Sequence, residues 1–325
     1  MTSYFVAVDG GNSKTDVVVG DATGRVHSTV RGPGSSPHSL GLPGALELLD
    51  RLVAAGLDGV PRSSVEQASV YIAGADLPIE VERLVAGVGK LGWAPRTTVD
   101  NDTFALLRTG TAAHDAVAVV CGAGINCVGR RADGRSARFP ALGPLSGDWG
   151  GGHHLAQIAL YYAARSEDGR GAKTALVDAV IDHFGLSSVE EVGTALHLGD
   201  APMARLYGLS EVLFTVANTG DAIANKVVRR LAEEIIALVR VAGSRLDLLD
   251  APFAVVLGGG VLSAQHPLLH DAVVSGVADI APHAVLSVTA ERPVVGAALL
   301  ALDELHGGQA PDNVERALRG ALYDM

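Results

Sequence analysis

The stretch from Tyr4 to Gly20, YFVAVDGGNSKTDVVVG, constrains this chain most. A short apolar run, Tyr4 to Val8, meets an acid, Asp9, and two glycines, Gly10 and Gly11. Asn12, Ser13, Lys14 and Thr15 follow, and the β-branched run Val17-Val18-Val19 leads away. Two β-forming runs around a glycine turn predict a hairpin. No bulky side chain stands in the turn before Lys14. Its backbone N–H groups can therefore approach an anion closely, and Ser13 and Thr15 offer hydroxyl donors. A carboxylate at the end of the first strand suits a hydrated Mg2+ held beside phosphates. An ordinary tight hairpin would carry the same pattern. The turn is not a P-loop, which needs Gly-Lys-Ser/Thr opening a helix.

The pattern recurs. Val117 to Cys121 runs into Gly122-Ala123-Gly124, and Ile125 to Gly129 leads out as a second strand. A third glycine turn, Gly258-Gly259-Gly260, follows Val255-Val256-Leu257 and opens toward a helix. Elsewhere strands alternate with helical patterns: a strand at Ser69–Ala73, a helix at Ile79–Leu91, then a strand at Thr97–Val99 running into Asp100-Asn101-Asp102. That alternation argues for an α/β architecture.

In this order the motifs resemble the actin/hexokinase/Hsp70-type ATPase superfamily. Within it they resemble the N-acetylglucosamine kinase group and the related BadF/BadG/BcrA/BcrD ATPases. The carriers are Asp9 to Asp16, Asn101-Asp102, Cys121 to Asn126, Gly147-Asp148 and Gly258 to Gly260, spread over nearly the whole chain. The resemblance implies an α/β, two-lobed, actin-like (ribonuclease H-like) ATPase fold with the nucleotide in the interlobe cleft. It implies an N-terminal lobe over residues 1–115 and a C-terminal lobe with a helical insert over 116–325. ATP would be held by Gly10, Gly11, Asn12, Ser13, Lys14, Thr15, Gly122, Ala123, Gly124, Gly258, Gly259 and Gly260, with Asp9 ordering Mg2+ through water.

Composition bounds the remaining possibilities. The chain has 325 residues, 48% of them hydrophobic, enough for two lobes with filled cores. No apolar run is long enough to span a bilayer, and the N-terminus reaches a strand at once with no signal-type segment or DNA-binding helix-turn-helix before it. We expect a cytoplasmic protein without a membrane partner. A net charge of −11, without a basic stripe, argues against nucleic acid. Cys121 and Cys127 flank one hairpin and read as small buried hydrophobes rather than as a disulfide or a zinc site.

The acceptor side is read from three places. Gly32 to Gly41, GPGSSPHSLG, is a loop by composition. In the sugar kinases it carries a sugar-binding amide, and Ser36 stands at the matching position. Asp102 lies where a strand ends and a helix begins, which suits a helix cap. The resemblance makes it the catalytic base, the carboxylate that orients a sugar hydroxyl and takes its proton. The stretch Ala141 to Gly152 keeps Gly143 and Gly147-Asp148 but has Ala141-Leu142 where the kinases have Gly-Trp. Leu142, Gly143 and Asp148 would line the sugar pocket. Trp149 and the pair His153-His154 read as packing residues. Thr174 to Val241 is helical almost throughout, with Asp221 before the last long segment.

The expected function is an ATP-dependent sugar kinase, a phosphotransferase acting on N-acetylglucosamine or a related hexosamine, as a homodimer by resemblance. Two alternatives stand beside it. One is an ATPase of the reductase-activator kind, which needs cysteine ligands for an iron–sulfur cluster at its dimer interface. The other is a non-catalytic sugar- or ATP-binding regulator, which the substitutions at Ser36, Ala123 and Leu142 permit.

Overall fold

The computed structural model describes residues 2–323. In chain order, β1 (Tyr4–Gly10), β2 (Lys14–Asp21), β3 (Val26–Pro33), α1 (Pro37–Gly56), β4 (Val65–Ile72), α2 (Pro78–Leu91), β5 (Arg96–Asp100) and α3 (Asp102–Gly110) come first. Next are β6 (Ala116–Cys121), β7 (Ile125–Arg130), β8 (Ser136–Arg138), α4 (Gly152–Glu167), α5 (Leu176–Phe184), α6 (Val189–Leu198), α7 (Met203–Tyr207), α8 (Leu209–Asn218) and α9 (Ala222–Arg245). The chain closes with β9 (Phe253–Gly258), α10 (Gly260–Ser263), α11 (Pro267–Ile280), β10 (Ala284–Val288), α12 (Pro293–His306) and α13 (Asp312–Tyr323). Two five-stranded sheets result, ordered β3-β2-β1-β4-β5 and β10-β9-β6-β7-β8. Two compact units form. One runs through Ala118 and adds Arg130–Pro140 and the chain from Glu291 onward; the other comprises Val119–Gly129 and Ala141–Ala290.

In the first unit β1 lies between β2, antiparallel, and β4, parallel. Phe5, Ala7, Val6 and Val8 are all fully buried, as a strand covered on both faces requires. The two-residue period of the strand then sorts them. Val6 and Val8 join Val17, Val19, Leu49, Val53, Leu84 and Trp93 on the face covered by α1 and α2. Phe5 and Ala7 join Val18 and residues of α12 and α13, among them Leu299, Leu302, Leu318 and Leu322. α13 is thus amphipathic, with Leu318 and Leu322 on its apolar edge in this core.

The loop expected over 32–41 is shorter than its composition suggests. β3 continues to Pro33 and α1 begins at Pro37, so only Gly34 to Ser36 remains unpaired. Proline fits the first helical turn because its missing N–H would have no partner there. The composition signal survives as a kink, Gly41 at φ 67° with Pro43 two residues on.

α3 and α12 approach until their backbones touch. A Cβ on Gly296 would stand 1.8 Å from the Ala105 carbonyl oxygen, so no larger residue fits. Next to that contact Arg108, 1% exposed, donates from Nε to Asp303 of α12 at 2.8 Å and from Nη2 to Glu315 of α13 at 2.6 Å. One guanidinium pins three helices.

In the second unit, α9 is the longest element. Asp221 caps it, accepting from the N–H groups of Ile223 and Ala224 at 3.0 and 2.9 Å. Val227, Leu231, Ile235 and Val239 bury one face, and the helix runs past the expected Val241 to Arg245. Among the described residues, no helix is long and apolar enough to cross a membrane.

Replacing Arg108 by Ala removes one buried cation, leaves Asp303 without its arginine and leaves Glu315 with Arg319 alone. We expect a loss of about 2–4 kcal/mol in urea-induced unfolding, below the full cost of a broken buried pair because both acids keep some solvent. Wild-type stability of the Arg108→Ala protein would remove the pin from this account.

Candidate functional site

The first unit collects carboxylates at the ends of its parallel strands. Asp9 ends β1, 6% exposed. Burial raises its pKa to about 7, with the charges of Asp102 and Asp16 adding to the rise and Lys14 and Arg292 opposing it. Asp102, the first residue of α3, is likewise raised to about 7, by burial and then by the charge of Asp76. The helix cap is not Asp102 but Asn101, whose Oδ1 accepts from the Thr103 N–H at 2.9 Å while its Nδ2 donates to Asp76 at 2.8 Å. Asp102 is left with its own helix N-terminus as support and an edge open to a substrate.

Asp16 differs in kind. Burial pushes it up, but hydrogen bonds from the Arg31 and Arg292 guanidiniums outweigh burial and hold it below the usual range. Its oxygens meet Arg31 Nε at 2.7 Å and Arg292 Nη2 at 2.9 Å. Asp100 is bound by both Arg138 amino groups, at 2.5 and 2.7 Å. Asp16 and Asp100 are therefore neutralised by arginine, whereas Asp9 and Asp102 are not. Two acids that resist ionisation together suit a divalent cation and a proton-accepting role. That donor set fits Mg2+ at Asp9.

The hairpin turn closes with the Gly11 N–H donating to the Lys14 carbonyl at 2.8 Å. Asn12, Ser13 and Lys14 are exposed. The Thr15 hydroxyl points inward instead and donates to Ser35 Oγ at 2.8 Å, so it offers no donor to an anion outside. Ser36 is buried, and its Oγ has no hydrogen-bond partner among the described residues. A buried unpartnered hydroxyl is costly, and a ligand hydroxyl would satisfy it. Nearby, His38, Asp76 and Glu80 place ligand atoms within 4.8 Å of one another. Their own bonds account for this: His38 pairs with Glu80 at 2.8 Å, and Glu80 caps α2.

In the second unit, three glycine turns lie backbone against backbone. A Cβ on Gly259 would stand 2.6 Å from the Cys121 carbonyl, and one on Gly151 2.6 Å from the Gly124 Cα. Both glycines hold φ 85°. The Gly152 N–H donates to the Gly122 carbonyl at 2.7 Å, and the His153 N–H to the Ala123 carbonyl at 3.1 Å. Beside these turns is a cavity of about 400 Å³. Its walls include Gly122, Ala123 and Gly260, and two stacked pairs: His153 on Tyr207 at 3.6 Å and Phe214 on His266 at 4.1 Å. Flat aromatic and glycine surfaces of this kind suit a purine and its ribose.

A second cavity, of about 250 Å³, shares Ala123 and His153 with the first and reaches Gly143, Asp148 and His154. Asp148 Oδ2 accepts from Ser146 Oγ at 2.6 Å and from the Gly143 N–H at 3.0 Å, which fixes the loop and aims the carboxylate. The Leu142 N–H donates to Ser146 Oγ at 2.7 Å. His154 Nδ1 accepts from the Gly150 N–H at 3.1 Å, which ties it to the loop, and it too lines the second cavity. His153 does not merely pack, because it lines both cavities. His153, Tyr207, Phe214 and His266 carry no sequence signal: single aromatic residues on scattered helices show nothing until folding stacks them. Cys121 and Cys127 are buried and free, as their apolar surroundings demand.

Two five-stranded sheets with helices packed on them define an α/β protein. The chain belongs to the BadF/BadG/BcrA/BcrD ATPase family, whose model matches residues 6–301. It is 27% identical over 263 residues to an N-acetylmuramic acid/N-acetylglucosamine kinase of Clostridium acetobutylicum, covering 80% of this chain and 86% of that one. It is 26% identical over 312 residues to an N-acetyl-D-glucosamine kinase of Dictyostelium discoideum, covering 92% and 98%. Among solved structures it resembles a ROK family glucokinase of Streptomyces griseus, crystallised with glucose and AMPPNP, at TM-score 0.54 and 20% identity, covering 93% and 99%. It also resembles a Chromobacterium violaceum protein assigned as N-acetylglucosamine kinase, at TM-score 0.66 and 21% identity, covering 92% and 99%.

Gly259→Ala tests the packed turns. With φ at 85° and Cys121 at 2.6 Å, the added methyl must displace backbone. We expect a loss of about 1–3 kcal/mol, read as a lower thermal midpoint. An unchanged midpoint would mean that the turns have slack.

Proposed function

We propose that this protein is an ATP- and Mg2+-dependent kinase of an amino sugar, N-acetylglucosamine or a related hexosamine. The observation that carries the reading is Asp102: an acid at the head of α3, released from capping by Asn101, with its pKa raised to about 7 by burial and Asp76. A base with a pKa near the working pH is well matched to accept a hydroxyl proton.

In the first unit, Asp102 aligns the acceptor hydroxyl for in-line attack and takes its proton. The turn from Gly10 to Thr15 faces phosphate with its N–H groups and Lys14, and Ser36 offers its unpartnered hydroxyl to the sugar. Mg2+, where bound through water to Asp9, would offset charge on the phosphates. In the second unit, Gly122, Ala123, Gly124, Gly258, Gly259 and Gly260 hold the nucleotide. Leu142, Gly143 and Asp148 hold the sugar, a carboxylate being well suited to pair with two hydroxyls. Little covalent chemistry falls to the protein, so positioning supplies most of the acceleration. We further propose that the enzyme is cytoplasmic and dimeric.

The deciding assay is ADP release with Mg2+ and ATP across hexoses, hexosamines and their N-acetyl forms. Turnover on an amino sugar is the expected result. Slow hydrolysis indifferent to every sugar would replace the kinase with an ATPase. Asp102→Asn should retain the fold and lose about 10²–10⁴ in kcat, the span for one general base. A variant near wild type would take the role away from Asp102. Ser36→Ala should keep or raise stability, since it removes a buried hydroxyl that has no partner, and raise KM for the sugar.

The raised pKa values also set pH dependence. A protonated Asp102 cannot accept a proton, so kcat/KM should fall as pH drops through about 7. For stability the sign is opposite. A carboxyl whose folded pKa exceeds its unfolded value binds its proton more tightly when folded. Asp9 and Asp102 therefore cost stability increasingly as pH rises from the unfolded value of 3.8 through about 7. Urea midpoints of wild type and Asp102→Asn between pH 5 and pH 8 should diverge upward, with the variant the more stable at the alkaline end; parallel curves would contradict the assignment.

A further inference from the structure

The second unit has a larger cavity that the sugar-kinase reading leaves unused. It lies between α4 and α9, encloses about 710 Å³, and falls within the size range of small-molecule sites. Three aromatic rings wall it: Trp149 from the loop before α4, and Tyr161 and Tyr162 from α4. The opposite wall is α9, where Lys226, Arg229 and Arg230 share one face at three- and four-residue spacing. Glu233 is the one carboxylate in the lining.

The cations are not alike. Arg230 pairs with Glu233 and Glu234 and sits over the Trp149 ring at 5.9 Å, so it belongs to the wall. Lys226 and Arg229 make no ion pair among the described residues. Both are exposed and stand beside the aromatic wall. Aromatic faces bind a flat ring, and free Lys and Arg bind an anion.

Trp149 also links this cavity to the smaller one. Its ring meets His154 edge-on at 5.2 Å, and His154 accepts the Gly150 N–H in the loop that bears Asp148. A ligand pressed on Trp149 bears on that loop from behind.

We propose that this cavity is a second binding site, for a small anion carried on an aromatic ring, and that its occupancy reaches the Asp148 loop through Trp149. The ring stacks against Trp149 and the tyrosines, and the anion lies on Lys226 and Arg229. Binding stands independently of the kinase reading; its effect on turnover rests on that reading.

Trp149 supplies the readout. The other tryptophan, Trp93, is 2% exposed with its indole N–H bonded to Asp50 at 2.8 Å, and gives a constant background. Phenyl phosphate, which joins the two chemical features in minimal form, is titrated against the full-length protein, with inorganic phosphate and benzyl alcohol as half-ligands. We expect a saturable change in Trp149 emission with phenyl phosphate alone. Lys226→Ala/Arg229→Ala should weaken it at least about tenfold, while sugar-dependent ADP release without phenyl phosphate stays unchanged. Trp149→Phe should abolish the signal. No saturable change, or equal affinity in the double variant, would overturn the site. An equal response to inorganic phosphate would remove the aromatic part. Sedimentation showing that the double variant alters self-association while phenyl phosphate fails to bind would assign the surface to a second copy of the chain instead. If the probe binds but no sugar is turned over, the cavity stands and the kinase reading falls.

Discussion

Backbone packed directly on backbone is the constraint on which the second unit depends. Gly259 lies against Cys121 and Gly122, and Gly151 lies against Gly124, at distances that exclude any Cβ. Both contacts need a positive φ that only glycine adopts without strain. The glycine turns therefore hold β6, β7, β9 and the start of α4 in register. Side chains enter only at the margins, as the stacked pairs His153–Tyr207 and Phe214–His266.

The first unit solves a different problem, which is to keep charge where charge is useful. Its central strand alternates Phe5, Val6, Ala7 and Val8 into two separate cores, so both faces of the sheet are sealed. Polar groups can then emerge only at the strand ends. There the acids divide by partner. Asp16 and Asp100 are tied to arginines, whereas Asp9 and Asp102 lack such a tie and burial raises their pKa to about 7. What is withheld from these two residues sets their titration as much as what is placed near them.

Much of this was legible from local pattern. The hairpins, the acid at the end of β1 and the long capped helix follow from β-branched runs, glycines and the Asp221 cap, all short-range signals. The loop over 32–41 was overdrawn because proline and glycine mark a helix start and a kink as readily as a coil. The sequence admits Asp102 as cap or base, and the hydrogen bond from Thr103 to Asn101 removes the cap. What stayed invisible was built from partners far apart in the chain. Arg108 meets acids 195 and 207 residues away, and the cavity walls gather His153, Tyr207, Phe214 and His266 from four elements. No periodicity encodes such meetings.

The two cysteines gain a meaning from their setting. Both are fully enclosed, and burial lifts the Cys121 thiol to about 12 and the Cys127 thiol higher still. A thiol reacts as its thiolate, so at neutral pH the native protein presents almost nothing for an alkylating or oxidising agent to attack. Reaction must wait until the β6–β7 hairpin opens. The rate of thiol modification in folded protein therefore records how often the glycine turn between β6 and β7 comes apart, a natural label placed within that hairpin.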